Sequence, residues 1–435
     1  GWVEISDFLT RGEKLTLTYG EILQNGNFYR DNLRTAKSTY CYTSDGDNRL
    51  IRPHFTFFGF RYVKVEGAKI DKKTLDNFVG VSVRSDMAQT GRIETSNEKL
   101  NKFIGNVFNS QKDNFLDIPM DCPQRDERFG WTGDAQVFSE TALFNAVSET
   151  WSDISPNAFR LPYDFSGGIK YFWRVTVVND KDENASGQSF FECGRKNSEW
   201  DIPFITTATE NTESTAFYCK FTAKSAVNAR LYITALGLYE AYINGKKVGD
   251  EYFTPYCDDY RYILQYQTYD ISEYLCDGEN EIAVLCGNGW HGGRYPTNGV
   301  NGIGAFGKGF ILSAEIVSDG NIVLTTDEKW KEIQSPVIFS EIYDGEIYDA
   351  RKEIFDENGK VYAEIILKAN KTKFTEKPKA KIISRISPRV TAKERYKATL
   401  IKTPNGETVL DFGKEITGWV EISDFLTRGE KLTLT

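Results

Sequence analysis

The sequence predicts a mainly β, multidomain protein made of jelly-roll and β-sandwich domains, with helices confined to one short stretch. Alternating apolar and polar residues, bounded by turn signals, run through most of the chain, which is the pattern of strands. A helical period holds over only about sixty residues near the end of the first third. With 435 residues, 40% of them hydrophobic, the chain is long enough for about three domains.

Residues 1–92 are predicted to form the later part of a β-sandwich domain. The segment LTLTYGEIL alternates, Asn25 and Gly26 give a hairpin-turn signal, and an aromatic strand pattern, FTFFGFRYVKVEG, follows at 55–67. Residues 376–435 are assigned to the first part of the same domain, because the end of the chain reads directly into Tyr19 and the residues after it.

Residues 93–155 change to the helical period and are predicted to begin a helical domain that is truncated here. Thr95 and Glu98 form a capping-box pattern at the start of the first helix, and a second helical pattern covers 134–148. Two helices with one apolar face each cannot bury a core alone, so further helical sequence should belong to this domain. The first helix carries its apolar face at Leu100, Phe103, Ile104, Val107 and Phe108.

The remaining β segments divide into two units. Residues 160–205, with the alternating stretch YFWRVTVVND, are read as the end of an immunoglobulin- or fibronectin-like domain, and 206–375 as a jelly roll. Trp290 and Tyr295, with Tyr260, are candidates for a sugar-stacking surface, because aromatic rings pack on the apolar face of a pyranose. The alternative is that they are core aromatics, since tryptophan is usually largely buried.

The two ends of the chain are identical over eighteen residues: 1–18 recurs unchanged as 418–435. Repeat architectures show several diverged copies at a fixed period, which this is not. One interpretation is a wrapped or permuted piece of a longer protein, whose natural order runs from about 160 to 435 and then from 19 to about 155. A biological permutation is the alternative. In either case the two copies should compete for one strand position, and the displaced copy should form an exposed edge.

Composition excludes several classes of function. A formal net charge of -9 disfavours nucleic-acid binding, and no apolar run is long enough for a membrane span. Seven widely spaced cysteines without a C-x-x-C pair are read as reduced thiols, which favours a cytoplasmic protein. With His54 and His291 as the only histidines, a histidine-rich metal site or a Ser-His-Asp triad is poorly supported. No metal or cofactor is expected, and the oligomeric state is left open.

The stretch DCPQRDERFGWTGD, 121–134, is the strongest candidate for a catalytic site. Cleavage of a glycosidic bond needs one carboxylic acid to protonate the leaving oxygen and a second carboxylate across the ring. A solvated, salt-bridged loop is the alternative, but Cys122, Pro123 and Trp131 favour a walled pocket, whose apolar surroundings raise a carboxyl pKa. The carboxylates of the stretch are Asp121, Asp126, Glu127 and Asp134.

On these residues the chain resembles the bacterial α-L-rhamnosidases of glycoside hydrolase family 78. The stretch 121–145 is similar to that family's most diagnostic motif, and 32–42, 53–67 and 403–419 are similar to its β-sandwich domain. The stretch 241–275 resembles its amino-terminal jelly roll. The resemblance implies that residues 93–155 are the first helices of an incomplete six-hairpin α/α barrel, and that the order of the modules is rotated.

The resemblance implies inverting hydrolysis of terminal α-L-rhamnose from glycosides or polysaccharides. Glu127 falls on the family's general acid, Asp121 and Asp134 fall on carboxylates that bind rhamnose hydroxyls or shape the acid's surroundings, and Trp131 would wall the pocket. The family's base is a later glutamate of the barrel, so a chain without it should have little or no activity.

Arg125, Arg128 and Asp126 have less certain roles under the resemblance. Either the arginines contact the substrate, with Asp126 also in the binding site, or they pair with Asp126 and leave Glu127 as the one carboxyl with a raised pKa. The competing functions are a non-catalytic glycan-binding module built on the jelly roll and another α/α-barrel glycosidase.

Overall fold

The computed structural model describes residues 2–6, 8–47, 49–89, 91–147, 165, 167–178, 183–208, 214–225, 228–295, 302–303 and 306–420. These residues form a mainly β protein with three large sheets and two longer helices, so the predicted fold class is confirmed. No helix among them is both long and apolar enough to cross a membrane.

The largest sheet has eleven strands, drawn from two distant parts of the chain, 2–85 and 337–420. Its centre follows the sequence pattern: along Lys14–Gly20, Leu15 and Leu17 are buried while Lys14 is exposed. The strand order is Val337–Glu341, Gly345–Asp349, Thr39–Thr43, Lys14–Gly20, Phe58–Glu66, Thr408–Val420, Trp2–Ser6, Phe78–Ser85 and Val390–Lys397, with Leu50–Ile51 beside Trp2–Ser6 and Thr399–Lys402 beside Thr408–Val420.

The two identical termini meet at one edge of the strand Phe78–Ser85. Trp2 pairs with Val81 in this strand, and so does Trp419, the equivalent residue of the second copy. Trp2 and Trp419 are also paired with each other in parallel. The opposite edge of the strand is taken by Val390–Lys397, where Arg395 pairs with Val81. Both copies thus meet the strand Phe78–Ser85 in the same register. That they compete for one position and leave one copy exposed stays a prediction.

Two smaller sheets form the jelly roll and share a second apolar core. Phe217 lies on one sheet and Leu231 on the other, and both are fully buried in this core. One sheet has the order Lys373–Thr375, Phe204–Thr206, Ile311–Ser318, Ala229–Leu236, Ile263–Asp270 and Lys381–Ser384, with Asn321–Thr325 beside Ile311–Ser318; the other has Lys246–Lys247, Leu238–Ile243, Gly278–Gly287, Thr215–Ala223, Lys331–Ile333 and Asn370–Lys371.

Strand pairing moves one domain boundary that the sequence placed at 375/376. Lys381–Ser384 pairs in parallel with Ile263–Asp270 and so belongs to the jelly roll, whereas the β-sandwich resumes with Val390–Lys397. In the other direction, Gly345–Asp349 pairs with Thr39–Thr43 of the largest sheet. Local alternation marks a strand but not its partner, which only the tertiary register decides.

The longer helices are Glu98–Asn114 and Thr132–Asn145. The first is capped by Asn97, whose side chain accepts from the backbone N–H groups of Lys99 and Leu100, and not by the predicted Thr95 box. Its apolar face is only partly covered, because Leu100 is 44% and Phe103 63% exposed.

The remaining elements lie outside the three large sheets. They are the helices Lys72–Leu75, Gly289–Gly292 and Ala363–Leu367, the 3₁₀ turns Asp31–Leu33, Asn197–Glu199, Ser272–Tyr274 and Ala350–Lys352, and the paired strands Ile22–Gln24 with Asn27–Tyr29, Ala88–Gln89 with Ala146–Val147, Phe115–Leu116 with Ile118–Pro119, Lys170–Val178 with Asn184–Glu192, and Arg294–Tyr295 with Gly302–Ile303.

Candidate active site

The loop 121–134 follows the first long helix after the short strands Phe115–Leu116 and Ile118–Pro119, runs into the second helix and closes on itself. The backbone N–H of Asp121 donates to the carbonyl of Phe129 at 2.9 Å, and the N–H of Phe129 donates to Oδ1 of Asp121 at 2.8 Å. Arg128, next to Phe129, has a positive φ of 57°, which turns the chain sharply at this point. The closure holds Asp121 in the loop.

Arg128 anchors the loop to residues of the largest sheet's domain. Its guanidinium is buried and donates to the carbonyls of Phe57 at 2.6 Å and Ile342 at 2.8 Å, and to those of Arg125 and Gln124 at 3.0 and 3.1 Å. Burial lowers its pKa, and the acceptors around it are carbonyl oxygens. The expectation that Arg128 contacts substrate or pairs with Asp126 is therefore wrong, because its donors already serve as a structural anchor.

Glu127 is held by two hydrogen-bond donors and an ion pair at the surface of the loop. Its Oε2 accepts from Nε of Arg125 at 3.1 Å and lies 2.9 Å from a terminal nitrogen of Arg34. Its Oε1 accepts from the indole Nε1 of Trp131 at 3.1 Å. Trp131 is 46% exposed, so one face of the indole borders the solvent beside the carboxylate. That Trp131 walls a pocket stays a prediction.

The electrostatics of Glu127 differ from the expectation. Burial acts to raise its pKa, but the hydrogen bonds from Arg125 and Trp131 and the charges of Arg125 and Arg34 outweigh burial, and the pKa is lowered. A carboxyl whose two oxygens both accept hydrogen bonds is stabilised in its ionised form. The prediction that Glu127 is the one carboxyl with a raised pKa is thus wrong.

Carboxyls with raised pKa values line a cavity of about 610 Å³ next to the loop. Burial raises the pKa of Asp113 to about 7, and it also raises those of Glu21 and Glu415. Asp121 and Arg125 form part of the same wall. The cavity has the size of a small-ligand site and opens beside the residues that contact Glu127.

A segment of the β-sandwich, 32–38, lies along the loop in antiparallel order. Arg34 contacts Glu127, Thr35 donates its hydroxyl to the buried Asp126, and Ser38 donates to the carbonyl of Gln124 at 3.5 Å. The segment is part of the stretch 32–42, quoted above for its resemblance, but nothing in its sequence indicated that it faces the loop. Arg34 is therefore a functional candidate that the sequence reasoning missed.

Asp126 connects the loop to the jelly roll. Besides Thr35, its Oδ2 is 3.4 Å from a terminal nitrogen of Arg294, whose other terminal nitrogen donates to Asp344 at 3.0 Å. Asp126 is buried by these contacts. The prediction that Asp126 binds substrate is not supported, because its carboxylate is directed into a joint between domains.

The other predicted residues are placed as follows. The Asp121 side chain is largely buried and lies 3.4 Å from Arg125, so Arg125 bridges Asp121 and Glu127. Asp134 lies in the first turn of the helix Thr132–Asn145 and is exposed. Neither position conflicts with a role in binding sugar hydroxyls.

Asp121, Cys122 and Glu127 bring three potential metal-ligand atoms within 4.8 Å of one another. Their chemistry does not suit a metal. Burial raises the pKa of Cys122 to about 12, which keeps the thiol protonated, and Glu127 is already paired with arginines.

The sugar-stacking surface that the sequence predicted on the jelly roll is not supported at Trp290 and Tyr260. Trp290 is only 4% exposed and packs in the main core, and Tyr260 is buried against the rings of His291 and Phe306. The backbone of Tyr295 is in the strand Arg294–Tyr295, but its side chain lies outside the described residues. The core alternative holds for Trp290 and Tyr260, because aromatic residues are used there to fill space between sheets.

Matches to known protein families divide the chain into similar modules. Sequence models match the bacterial α-L-rhamnosidase concanavalin-like domain at 1–84, the bacterial α-L-rhamnosidase six-hairpin glycosidase domain at 88–153, and the α-L-rhamnosidase N-terminal domain at 224–394. The chain belongs to the bacterial α-L-rhamnosidase family. The candidate loop lies inside the glycosidase-domain match, and the N-terminal-domain match follows the other two along this chain.

Individual rhamnosidases give the same assignment. An α-L-rhamnosidase of Formosa agariphila is 43% identical over 180 residues, which are 40% of this chain and 19% of that protein. Another from the same species is 27% identical over 345 residues, covering 68% of this chain and 36% of its own. The native α-L-rhamnosidase structure from Aspergillus terreus shares the fold with a TM-score of 0.52 at 24% identity, over 83% of this chain and 37% of that one. The chain thus spans about a third or less of the relatives named here.

Proposed function

We propose that the protein acts in the hydrolysis of terminal α-L-rhamnosides, with Glu127 as the general acid. The observation that carries this is the position of Glu127: a partly exposed carboxyl, set beside an exposed indole face in a loop that the glycosidase-domain model covers. A general acid must reach the glycosidic oxygen, and Glu127 projects from the loop towards solvent, unlike the buried Asp126.

The proposed reaction inverts the configuration at the sugar carbon, and its base is a carboxylate outside the described residues. An inverting pair needs carboxyls about 6.5–9.5 Å apart, with room for a water between them. The oxygens of Asp121 and Glu127 lie within 4.8 Å of each other, which is too close for that arrangement. Asp121 is therefore assigned to binding. The chain spans 19–36% of the two relatives compared above, so the rest of such a protein offers other carboxylates.

The substrate proposed for this site is a rhamnose-containing glycoside or glycan. The exposed indole of Trp131 offers an apolar surface for the sugar ring, and Asp121 and Asp134 offer acceptors for its hydroxyls. One solved relative, from Streptomyces avermitilis, is described as complexed with L-rhamnose.

The test compares Glu127→Gln with wild type in the protein encoded by the complete gene. With an alkyl α-L-rhamnoside, whose poor leaving group needs protonation, the variant should lose about 10²–10⁴ in kcat. With a nitrophenyl rhamnoside, whose leaving group departs without a proton, the loss should be much smaller. The matched control is Glu94→Gln, which changes an exposed glutamate paired with Arg92 in the same domain.

Equal losses on the two substrates would reject Glu127 as the acid. If Glu127→Gln hydrolysed both substrates as fast as wild type, the loop 121–134 would be rejected as the active site. The 435-residue chain itself is expected to show little or no hydrolysis of either substrate, because the base is proposed to lie elsewhere.

A further inference from the structure

Arg34 has a backbone conformation that glycine adopts most easily. It follows the 3₁₀ turn Asp31–Leu33 with φ 58° and ψ −119°, the combination found at the first central position of a type II′ turn. The Cβ of an arginine is unfavourable there, and glycine carries none. Residues kept in such conformations concentrate where the side chain has a role. The side chain of Arg34 therefore deserves a functional explanation.

That side chain reaches across a domain boundary to Glu127. A terminal nitrogen of Arg34 lies 2.9 Å from Oε2, the same oxygen that accepts from Arg125. The two arginines are not equivalent, because the Arg34 side chain is 55% exposed and that of Arg125 is 32% exposed. Arg125 is also paired with Asp121 at 3.4 Å, which ties it into the loop. Arg34 is the partner with more freedom to leave.

The contacts of Glu127 favour its ionised form. Oε2 accepts from Arg125 and Oε1 from the Trp131 indole, and the Arg34 guanidinium forms an ion pair with Oε2 at 2.9 Å. A guanidinium cannot accept a hydrogen bond from a protonated carboxyl. The positive charge of Arg34 beside Oε2 therefore opposes protonation of that oxygen, and its departure favours protonation.

We propose that Arg34 is a positioning residue that holds Glu127 in its ionised form and moves away from Oε2 before Glu127 takes up the proton it donates. The inference rests on the proposed role of Glu127 as the acid. In the step, the ion pair between Arg34 and Glu127 separates and a solvent proton binds Oε2. That proton then passes to the glycosidic oxygen as the bond from the sugar carbon to that oxygen breaks. A water oxygen bonds to the sugar carbon in its place and gives a proton to the base proposed above.

The groups around the carboxylate come from three parts of the chain. The loop contributes Arg125, Asp121 and Cys122, the segment 32–38 contributes Arg34, and the turn after Val337–Glu341 contributes Tyr343, whose hydroxyl donates to the Glu127 carbonyl at 3.1 Å. Of these, Arg34 can be changed without disturbing the closure of the loop, because it belongs to another domain.

The test measures the titration of the Glu127 carboxyl by carbon-13 NMR in the 435-residue chain. The Glu127 signal is assigned as the one missing from the spectrum of Glu127→Gln. Arg34→Gly and Arg34→Gln should each raise the pH at which the Glu127 carboxyl is half titrated. Arg34→Gly should also keep Tm or raise it by about 1–3 °C, because glycine relieves the strained backbone. Lys37→Gln is the matched control: it removes the same charge from the same segment, but Lys37 pairs with Asp344, so the midpoint should stay in place.

A midpoint in both Arg34 variants that equals that of wild type would overturn the proposal. So would an equal upward movement in Lys37→Gln, since the effect would then be one of general charge. An Arg34→Gly variant with a lowered Tm and an unmoved midpoint would show a structural residue only. The NMR titration does not depend on hydrolysis. If Glu127 is not the general acid, the kinetic comparison of Glu127→Gln with wild type shows it, and the titration does not.

Discussion

Arg294 of the jelly roll and Asp126 of the loop 121–134 are joined at 3.4 Å although 168 residues separate them in the sequence. Both side chains are largely buried, and Arg294 also binds Asp344 at 3.0 Å. The contact fixes the residue next to Glu127 from a domain that contributes nothing to the motif itself. The position of Glu127, the proposed acid, therefore depends on how three modules pack.

Replacement of Arg294 by Met should destabilise the protein by about 3 kcal/mol, because two buried carboxylates, Asp126 and Asp344, would lose their shared partner. Urea unfolding followed by fluorescence measures this change. The control is Arg261→Met, which removes an exposed arginine paired with Asp259 in the same jelly roll. A loss of unfolding free energy in Arg294→Met no larger than in the control would show that the contacts of Arg294 with Asp126 and Asp344 contribute little to stability.

Arg128→Met should lower the free energy of unfolding by at least about 3 kcal/mol, because four carbonyl oxygens would lose their donor. Methionine fills similar space, so the effect reports the hydrogen bonds more than the volume. Thermal unfolding of Arg128→Met and of the exposed Arg92→Met gives the comparison. Equal Tm values for the two variants would contradict the anchoring role.

Asp113 should make stability depend on pH. Burial raises its pKa to about 7 in the folded protein, against about 4 in the unfolded chain. Between these values the folded state holds a proton that the unfolded state releases, so the stabilisation is full below about pH 4 and is lost as pH rises through about 7. The free energy of unfolding should fall by about 2–4 kcal/mol from pH 4 to 8 on account of this group.

The measurement is urea unfolding across pH 4–8 in wild type and in Asp113→Asn. Asparagine keeps an oxygen that can accept from the Thr417 N–H, which now donates to Asp113 at 2.9 Å, and it does not titrate. The variant should reduce the slope without removing it, because burial also raises the pKa values of Glu21 and Glu415. Asp76→Asn, at an exposed site, should leave the slope unchanged. A slope in Asp113→Asn as steep as that of wild type would assign the dependence to other carboxyls.

Deletion of one terminal copy should have different effects at the two ends. The strand Lys14–Gly20 lies inside the largest sheet between Thr39–Thr43 and Phe58–Glu66, with Leu15 and Leu17 buried, so removal of 1–18 should unfold the sandwich. Removal of 418–435 should leave it folded, because Trp2 already occupies the register at Val81 that Trp419 shares.

Circular dichroism and size-exclusion chromatography of the two deletion proteins test this expectation. A folded protein without 1–18 would mean that the carboxy-terminal copy replaces the amino-terminal one, including its buried leucines. In that case 1–18 would be the displaced copy, and its removal should improve solubility.

The sequence by itself determined the modules and the chemistry of the loop. Alternation predicted the sheets, and the helical period placed the loop between two helices. Local spacing carries this information because neighbouring residues along a strand, helix or tight loop lie close together in space.

Only the tertiary structure decided which distant groups act on that loop. Arg34 at Glu127 and Arg294 at Asp126 arrive through strand register and domain packing, and an isolated arginine in a sequence does not show its partner. The same holds for Trp290, whose burial depends on what covers it. The sign of the Glu127 pKa shift followed from these contacts, because opposite charges brought to its oxygens outweighed the burial that residue type alone led us to expect.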